Sequence, residues 1–286
     1  MTEYTAQDLI ETLELEPLEL NVYRGRNRDI GTRHIYGGQV LAQSVMAASR
    51  TVDDDRPIHS MHGYFILPGD LEAPVVYFVD RLRDGGSFTT RRVTAIQHGR
   101  AIFNMAASFH KVEPGPTHQT PMPDVPDPDG LPTELELIRR MEDRIPEGAR
   151  AILTQDRPLD IRPVDPVDPF DPEPRDPVRH IWVRTLGHVD ASLHHHAILA
   201  YASDYGLLAA ALQPHGITWR RDNVMVASLD HSLWFHRPVD VTDWLLFTME
   251  SPTTGGARGF SRGTFYTRDG ELVASVAQEG LVRRID

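Results

Sequence analysis

HGYFILPGD at residues 62–70 and SLWFHRPVD at residues 232–240 are the two stretches of sequence that decide the fold. Their prolines lie 170 positions apart, and each stretch carries an aromatic pair before the proline and an aspartate after it. The double-glycine turns at 85–86 and 255–256 keep the same offset. A match that persists over ~45 residues indicates a duplicated unit, so two tandem repeats are predicted.

Each copy also has the same order of predicted elements. An apolar helical segment, at 40–48 in the first copy and 193–212 in the second, precedes aromatic and alternating strand candidates joined by tight turns. Residues 224–235 are predicted to form one such strand. The long helix is the only cover available for the apolar face of each sheet. We therefore predict an α+β fold, a double hot-dog of two tandem repeats, each an antiparallel β-sheet wrapped around a long central α-helix.

The composition changes between the copies. Residues 113–177 hold fifteen of the 22 prolines, many of them in Asp-Pro pairs. Proline cannot donate to a strand ladder, so this interval is not expected to hold a central strand. We assign residues 1–112 to an N-terminal hot-dog repeat and 113–180 to a Pro/Asp-rich linker with a short helix near 134–143. Residues 181–286 form the C-terminal hot-dog repeat, which is expected to carry the catalytic residues.

Charge and composition limit the classes of function. The net charge of −12 argues against nucleic acid as a partner. Without cysteine, the 286-residue chain has no disulfide, no thiolate metal site and no cysteine nucleophile. No apolar run approaches the ~20 residues of a membrane helix. The polar N-terminus lacks the features of a signal peptide. We therefore expect a cytoplasmic protein with no membrane span.

Three polar residues of the second copy are candidates for chemistry. Asp204 lies within the predicted helix on a stripe that also carries leucines, where an ionised carboxylate is costly without partners. Ser228 and Gln278 are polar where the first copy has Ile58 and Ala107. This contrast indicates that only the second repeat keeps a site. The structural alternatives are a solvent-facing aspartate, a satisfied strand hydroxyl and an exposed face of the last strand.

Several histidines are weaker candidates. The run His194-His195-His196 resembles a metal cluster, but consecutive helical residues point in different directions, so no metal site is predicted. Asp230 and His231 are neighbours on a strand and face opposite sides. The pair is expected to stabilise the strand or a dimer surface. Phosphate loops, dinucleotide fingerprints and nucleophile elbows do not occur in the sequence, so no cofactor is predicted.

Five segments carry a resemblance to a known family. They are HIYGGQV at 34–40, HGYF at 62–65, ASDY at 202–205, LDHSLWFHRP at 229–238 and QEG at 278–280. Together they resemble the acyl-CoA thioesterase II family, and the resemblance covers nearly the whole chain. The tryptophan-containing segment is the most specific of the five.

The resemblance implies hydrolysis of medium- to long-chain acyl-CoA thioesters to free fatty acid and CoA. In the family an Asp, a Thr and a Gln hold the attacking water, and these roles fall on Asp204, Ser228 and Gln278. Serine keeps the threonine hydroxyl but lacks the β-branch that restricts χ1. The implied reaction needs no covalent intermediate, no metal and no cofactor.

The expected substrate contacts are less specific. Gly37 and Gly38 open a helix whose free N–H groups could take a carbonyl or phosphate oxygen, although close helix–strand packing explains the pair equally well. Four arginines flank tight turns and are candidates for the CoA phosphates, with a solvated strand face as the alternative. They are Arg91, Arg92, Arg258 and Arg262.

Two other functions remain open at this point. One is a hot-dog enoyl-CoA hydratase or dehydratase on the same thioesters, since fold alone does not separate these enzymes. The other is a non-catalytic acyl-CoA binding protein. By resemblance, a homodimer or homotetramer is expected.

Overall fold

The structure is a computed structural model that describes residues 4–218 and 223–285. The first three residues lie outside these ranges. They belong to the polar N-terminus in which no signal peptide is predicted. The α-helices are α1 (Ala6–Leu13), α2 (Gly37–Ser49), α3 (Glu134–Arg140), α4 (Glu147–Leu153), α5 (Ser192–Ser203) and α6 (Ala209–Leu212). Among the described residues, no helix is long and apolar enough to cross a membrane.

The strands divide into those before the linker and those within or after it. The first group is β1 (Glu16–Glu19), β2 (Val22–Gly25), β3 (Ile58–Phe65), β4 (Val75–Asp84), β5 (Phe88–Gln97) and β6 (Arg100–His110). The second group is β7 (Leu159–Pro163), β8 (Val178–Thr185), β9 (Val224–Ser228), β10 (Asp230–Phe235), β11 (Leu245–Gly255), β12 (Arg258–Thr267) and β13 (Leu272–Arg284).

All these strands belong to one antiparallel sheet in the order β1-β2-β4-β5-β6-β3-β10-β13-β12-β11-β8-β7, with β9 paired to β13. The two matching stretches of sequence meet at the centre, where β3 pairs with β10 and His62 lies opposite Ser232. The two predicted sheets are therefore continuous with each other. The predicted antiparallel strands are confirmed.

The two long helices pack against each other beside the sheet. Every residue of α2 from Gly38 to Ala48 is buried, the polar Gln39, Gln43 and Ser44 among them. The Tyr36 hydroxyl donates to the backbone oxygen of Tyr201 at 3.0 Å, and the two rings meet edge to face at 4.9 Å between centroids. The start of α2 therefore lies against the end of α5.

Two predicted elements are interrupted in the second half. The helix expected over 193–212 ends at Ser203, with Asp204 as its C-cap, and Gly206 follows at φ 70°. The strand expected over 224–235 breaks at Leu229. There the Leu229 N–H donates to Glu279 and its carbonyl accepts from Phe65, so the chain passes from the edge of β13 to a place between β13 and β3.

The linker interval has more structure than the single predicted helix. Helix α3 lies where a helix was predicted, but α4 and β7 were missed. Strand β7 is an edge strand, a position in which its terminal Pro163 is tolerated. The linker covers Trp182 and Trp244 on the sheet, and the Trp182 indole donates to the backbone oxygen of Pro126 at 2.9 Å.

Candidate active site

Asp204 lies where the end of α5 packs against the start of α2. It caps the C-terminus of α5, and the backbone N–H of Gly38, in the first turn of α2, donates to its carboxylate. A methyl group on Gly37 would stand only 2.6 Å from Asp204 Oδ2. The glycine pair therefore lets the carboxylate approach a helix N-terminus, where free N–H groups stabilise negative charge.

Ser228 and Gln278 complete a hydrogen-bonded cluster with Asp204. The Ser228 hydroxyl, at the end of β9, donates to Asp204 Oδ1 at 3.3 Å. Gln278 Nε2, on β13, donates to Ser228 Oγ at 2.8 Å and the same side chain also bonds to Asp204. The structure thus brings together three residues that are far apart in the sequence.

The surroundings change the basicity of Asp204. Burial raises its pKa to about 6, and hydrogen bonds from Gln278, Ser228 and Gly38 oppose the rise. A carboxylate with this pKa is mostly ionised at neutral pH and takes up a proton more readily than an ordinary aspartate. These are the properties of a general base.

Of the two roles expected of His231, stabilising the strand or a dimer surface, the structure contradicts only the second. Its imidazole is fully buried rather than on a dimer surface, with Nδ1 2.5 Å from Gln278 Oε1 and Nε2 2.8 Å from Ser203 Oγ. Burial lowers the pKa of His231 to about 4. The alternation of β10, in which His231 shares the buried face with Leu233 and Phe235, was the signal that could have placed it.

Gly38 differs from its predicted role as a substrate contact. Its N–H is already bonded to Asp204, so it positions the carboxylate instead of offering a free donor. A side chain at this position would meet the backbone oxygen of Tyr201 at 2.3 Å. Gly37 lies beside Asp204 and Phe65, within the cluster.

Arg91 cannot bind CoA phosphates as predicted, because its guanidinium is fully buried. It donates to Thr51 Oγ1 and to the Thr51 carbonyl oxygen, each at 2.8 Å, and pairs with Asp84 at 2.5 Å. All of these contacts hold the end of α2 to the sheet. The residue is structural.

The other three predicted arginines are exposed and ion-paired. Arg258, on β12, pairs with Glu279 of β13 at 2.9 Å. The remaining two pair across strands, Arg92 with Asp80 and Arg262 with Glu250. Exposed pairs of this kind contribute little stability and exchange partners readily.

The linker reaches the loop that follows Asp204. The Tyr205 hydroxyl bonds to Glu134 of α3, and Arg157 contacts both, at 2.7 Å to Glu134 Oε2 and 3.1 Å to the Tyr205 hydroxyl. Arg179 Nη1 donates to the carbonyl oxygen of Gly206 at 3.3 Å. The loop that positions Asp204 is thus fastened to both the linker and β8.

The three consecutive histidines bond to different partners. His194 contacts Glu14 at 2.8 Å, His195 accepts from the N–H of Val241 at 3.1 Å, and the His196 ring bonds to a backbone oxygen of its own helix. Within residues 4–218 and 223–285, no three side chains converge as metal ligands.

Comparison with solved structures defines the class. A crystal structure from Alicyclobacillus acidocaldarius, described as having the hot-dog fold, superposes with a TM-score of 0.73 at 18% identity, over 98% of this chain and 99% of that one. An acyl-CoA thioesterase II from Mycobacterium marinum superposes with a TM-score of 0.79 at 40% identity, over 97% and 99% of the two chains. The chain has the hot-dog fold.

Sequence comparison narrows the class to a family. Residues 24–110 match a model of the acyl-CoA thioesterase N-terminal domain, and residues 149–281 match a model of acyl-CoA thioesterase. The human acyl-coenzyme A thioesterase 8 is 39% identical over 95% of this chain and 87% of its own length. The chain belongs to the acyl-CoA thioesterase II family.

Proposed function

We propose that this protein hydrolyses medium- to long-chain acyl-CoA thioesters with a water held by Asp204, Ser228 and Gln278. The observation that carries this proposal is the hydrogen-bonded cluster of these three side chains at the N-terminus of α2. Membership of the acyl-CoA thioesterase II family supports the substrate class.

The cluster provides what thioester hydrolysis requires. Asp204 takes a proton from the water as its oxygen attacks the carbonyl carbon. The first turn of α2, at Gly37, supplies a backbone donor toward the negative charge that develops on the carbonyl oxygen. The C–S bond then breaks, and the leaving sulfur takes the proton, which yields free CoA and a fatty acid. No covalent intermediate forms.

Ser228 and Gln278 hold the water and the base in position. Ser228 donates to Asp204 and accepts from Gln278, so the two polar side chains leave the carboxylate ionised and oriented. Arg258, which pairs with Glu279, is the candidate for the CoA phosphates. It would exchange Glu279 for a phosphate oxygen.

The finer features of the fold and assembly belong to the same proposal. We regard each half as one hot-dog unit with α2 or α5 at its centre, which makes the chain a double hot-dog. The homodimeric or homotetrameric state and the cytoplasmic location stay predictions.

The test is thiol release from decanoyl-CoA and palmitoyl-CoA by the parent protein and Asp204→Asn. Asparagine keeps the shape but removes the base, so turnover is expected to fall by about 10²- to 10⁴-fold. Asp230→Asn is the matched control, because that carboxylate lies near the cluster but, among the described contacts, accepts from the Glu279 backbone N–H at 2.7 Å and not from the cluster.

Three outcomes would contradict the proposal. Equal turnover by the parent and a folded Asp204→Asn variant would remove Asp204 from its role. Tight acyl-CoA binding without thiol release would favour a binding protein. Hydration of crotonyl-CoA without thiol release would favour a hydratase.

A further inference from the structure

We propose that His231 is a positioning residue that fixes the orientation of the Gln278 carboxamide, and that Ser203 sets the tautomer of His231. The inference rests on the proposed function, because it explains how Gln278 comes to face Ser228 and Asp204 with its donor group. His231 itself touches neither Ser228 nor the carboxylate in the described contacts.

The contacts form a chain that starts and ends on neighbouring residues of α5. Ser203 Oγ lies 2.8 Å from His231 Nε2, and His231 Nδ1 lies 2.5 Å from Gln278 Oε1. Gln278 Nε2 is 2.8 Å from Ser228 Oγ, which is 3.3 Å from Asp204 Oδ1. Ser203, His231 and Gln278 are all buried, so water does not compete for these bonds.

The chemistry of the groups fixes the direction of every bond. An ionised Asp204 only accepts, so the Ser228 hydroxyl must donate to it and can only accept from Gln278. The amide nitrogen of Gln278 therefore faces Ser228, and its oxygen faces His231. The ring must then donate through Nδ1–H.

The other end of the ring completes the argument. Burial keeps His231 neutral, so the ring carries one proton and Nε2 is an acceptor. The Ser203 hydroxyl supplies the donor that this tautomer needs, although it also has the backbone oxygen of Ala200 within 2.9 Å. If the proton moved to Nε2, the amide would turn over and its oxygen would draw the Ser228 proton away from Asp204.

The first copy supports this assignment independently. The counterpart of His231, 170 positions earlier, is Met61, which is buried and lies directly opposite Ala107, the counterpart of Gln278. Where the glutamine is absent, the histidine is absent too. A buried methionine at Met61 also shows that the shared frame accepts this side chain.

The experiment compares His231→Met with His231→Asn. Methionine removes the donor to Gln278, and kcat for thiol release is expected to fall about 10- to 100-fold with KM nearly unchanged. Asparagine places its amide nitrogen near the position of Nδ1, so kcat is expected to stay within about threefold of the parent. In a Gln278→Ala background, neither change should lower kcat further, because His231 acts through Gln278.

A purely structural role predicts a different pattern. His231→Met would then cost the same factor with or without Gln278, and His231→Asn would be as poor as His231→Met. Either result in folded variants would overturn the inference. If His231→Met does not fold, the His231→Asn comparison decides alone, and a large loss of kcat in it would count against the proposal.

Nitrogen NMR of histidine-labelled protein supplies a readout separate from activity. The His231 ring, assigned by its absence in His231→Asn, is expected to be the neutral Nδ1–H tautomer at neutral pH. An Nε2–H tautomer or a charged ring would overturn the inference. A parent without thiol release would defeat the proposed function instead, whereas an active parent with a fully active His231→Met variant would defeat only this inference.

Discussion

Equivalent strand positions in the two halves of the molecule carry side chains of different chemistry. In the second half, Ser261 on β12 lies opposite Gln278 on β13. In the first half, the equivalent pair is Arg91 on β5 and Ala107 on β6. A buried guanidinium with five donors fills the space in one half, whereas the other half has a serine and a neutral amide there.

The C-terminal ends of the two long helices differ in the charge of the residue that caps them. Helix α5 ends at Asp204, which accepts from the first turn of α2. Helix α2 ends at Arg50, which pairs with Glu14, and Glu14 also contacts His194 near the start of α5. One helix end is therefore an anion held by neutral donors, and the other joins an arginine–glutamate ion pair to a histidine.

Under the proposed function, the two halves separate activity from stability. A site needs a carboxylate whose charge is not neutralised by a permanent partner, and Asp204 contacts neutral donors in the described bonds. The other end satisfies each charge within the protein, which fastens the end of α2. Arg50 and Asp204 each cap the C-terminus of a long helix, so an arginine and an aspartate occupy comparable positions in the two halves.

The largest expected effect is the loss of stability when the buried Arg91 of the first half is replaced. Arg91→Met removes donors from the backbone oxygens of Thr51 and Arg83 and leaves a gap, so the free energy of unfolding is expected to fall by about 2–4 kcal/mol. Denaturant titration measures this. Arg92→Met is the control, since that exposed side chain pairs only across the surface with Asp80, and its loss should cost within about 0.5 kcal/mol. Equal costs for the two variants would contradict the structural role of Arg91.

The second-largest expected effect is the loss of activity when Asp204 is protonated. Because the pKa of Asp204 is raised to about 6, kcat/KM is expected to fall about tenfold per pH unit below that value. Neither His231 nor Tyr36 is expected to titrate in this range, because burial lowers the pKa of His231 to about 4 and raises the pKa of Tyr36 well above its usual range. A profile from about pH 5 to about pH 8 checks this. A flat profile in folded enzyme would contradict the assigned base.

Protonation of Asp204 is expected to lower activity but to raise the stability of the folded protein. The folded protein binds this proton more tightly than the unfolded chain, whose aspartate has the ordinary value of 3.8. The contribution of Asp204 to folding therefore grows as the pH falls from about 6 toward 3.8 and is lost as the pH rises through about 6. Comparing the melting temperatures of the parent and Asp204→Asn across this window isolates it. A difference that does not change with pH would count against the raised pKa.

The sequence predicted the frame better than the environment of single residues. The repeat identified Ser228 and Gln278 because their counterparts Ile58 and Ala107 are apolar, and this comparison needs no coordinates. Arg91 was misplaced because its position beside a tight turn was taken as the sign of a phosphate contact. Its alternation with the buried Val93 on β5 already indicates the inner face.

The remaining differences depend on tertiary contacts. The break at Leu229 arises because its N–H bonds to β13 and its carbonyl to the end of β3, and local propensity contains no trace of either partner. The end of α5 at Ser203 could have been predicted more easily from the sequence, because Gly206 favours the left-handed conformation that stops a helix. The linker contacts of Tyr205 could not be read from a proline-rich segment.

The smallest expected effect comes from replacing Ser228 with threonine. Ser228→Thr adds the methyl group that restricts χ1, so kcat is expected to rise by no more than about threefold with an unchanged KM. The buried, β-branched Ile58 at the equivalent point of the first half shows that the frame accepts such a side chain. Ser228→Ala is the reference for loss of the hydroxyl. If Ser228→Thr were as slow as Ser228→Ala, the methyl would be turning the hydroxyl away from Asp204, and the two halves would differ in strand geometry as well as in side chains.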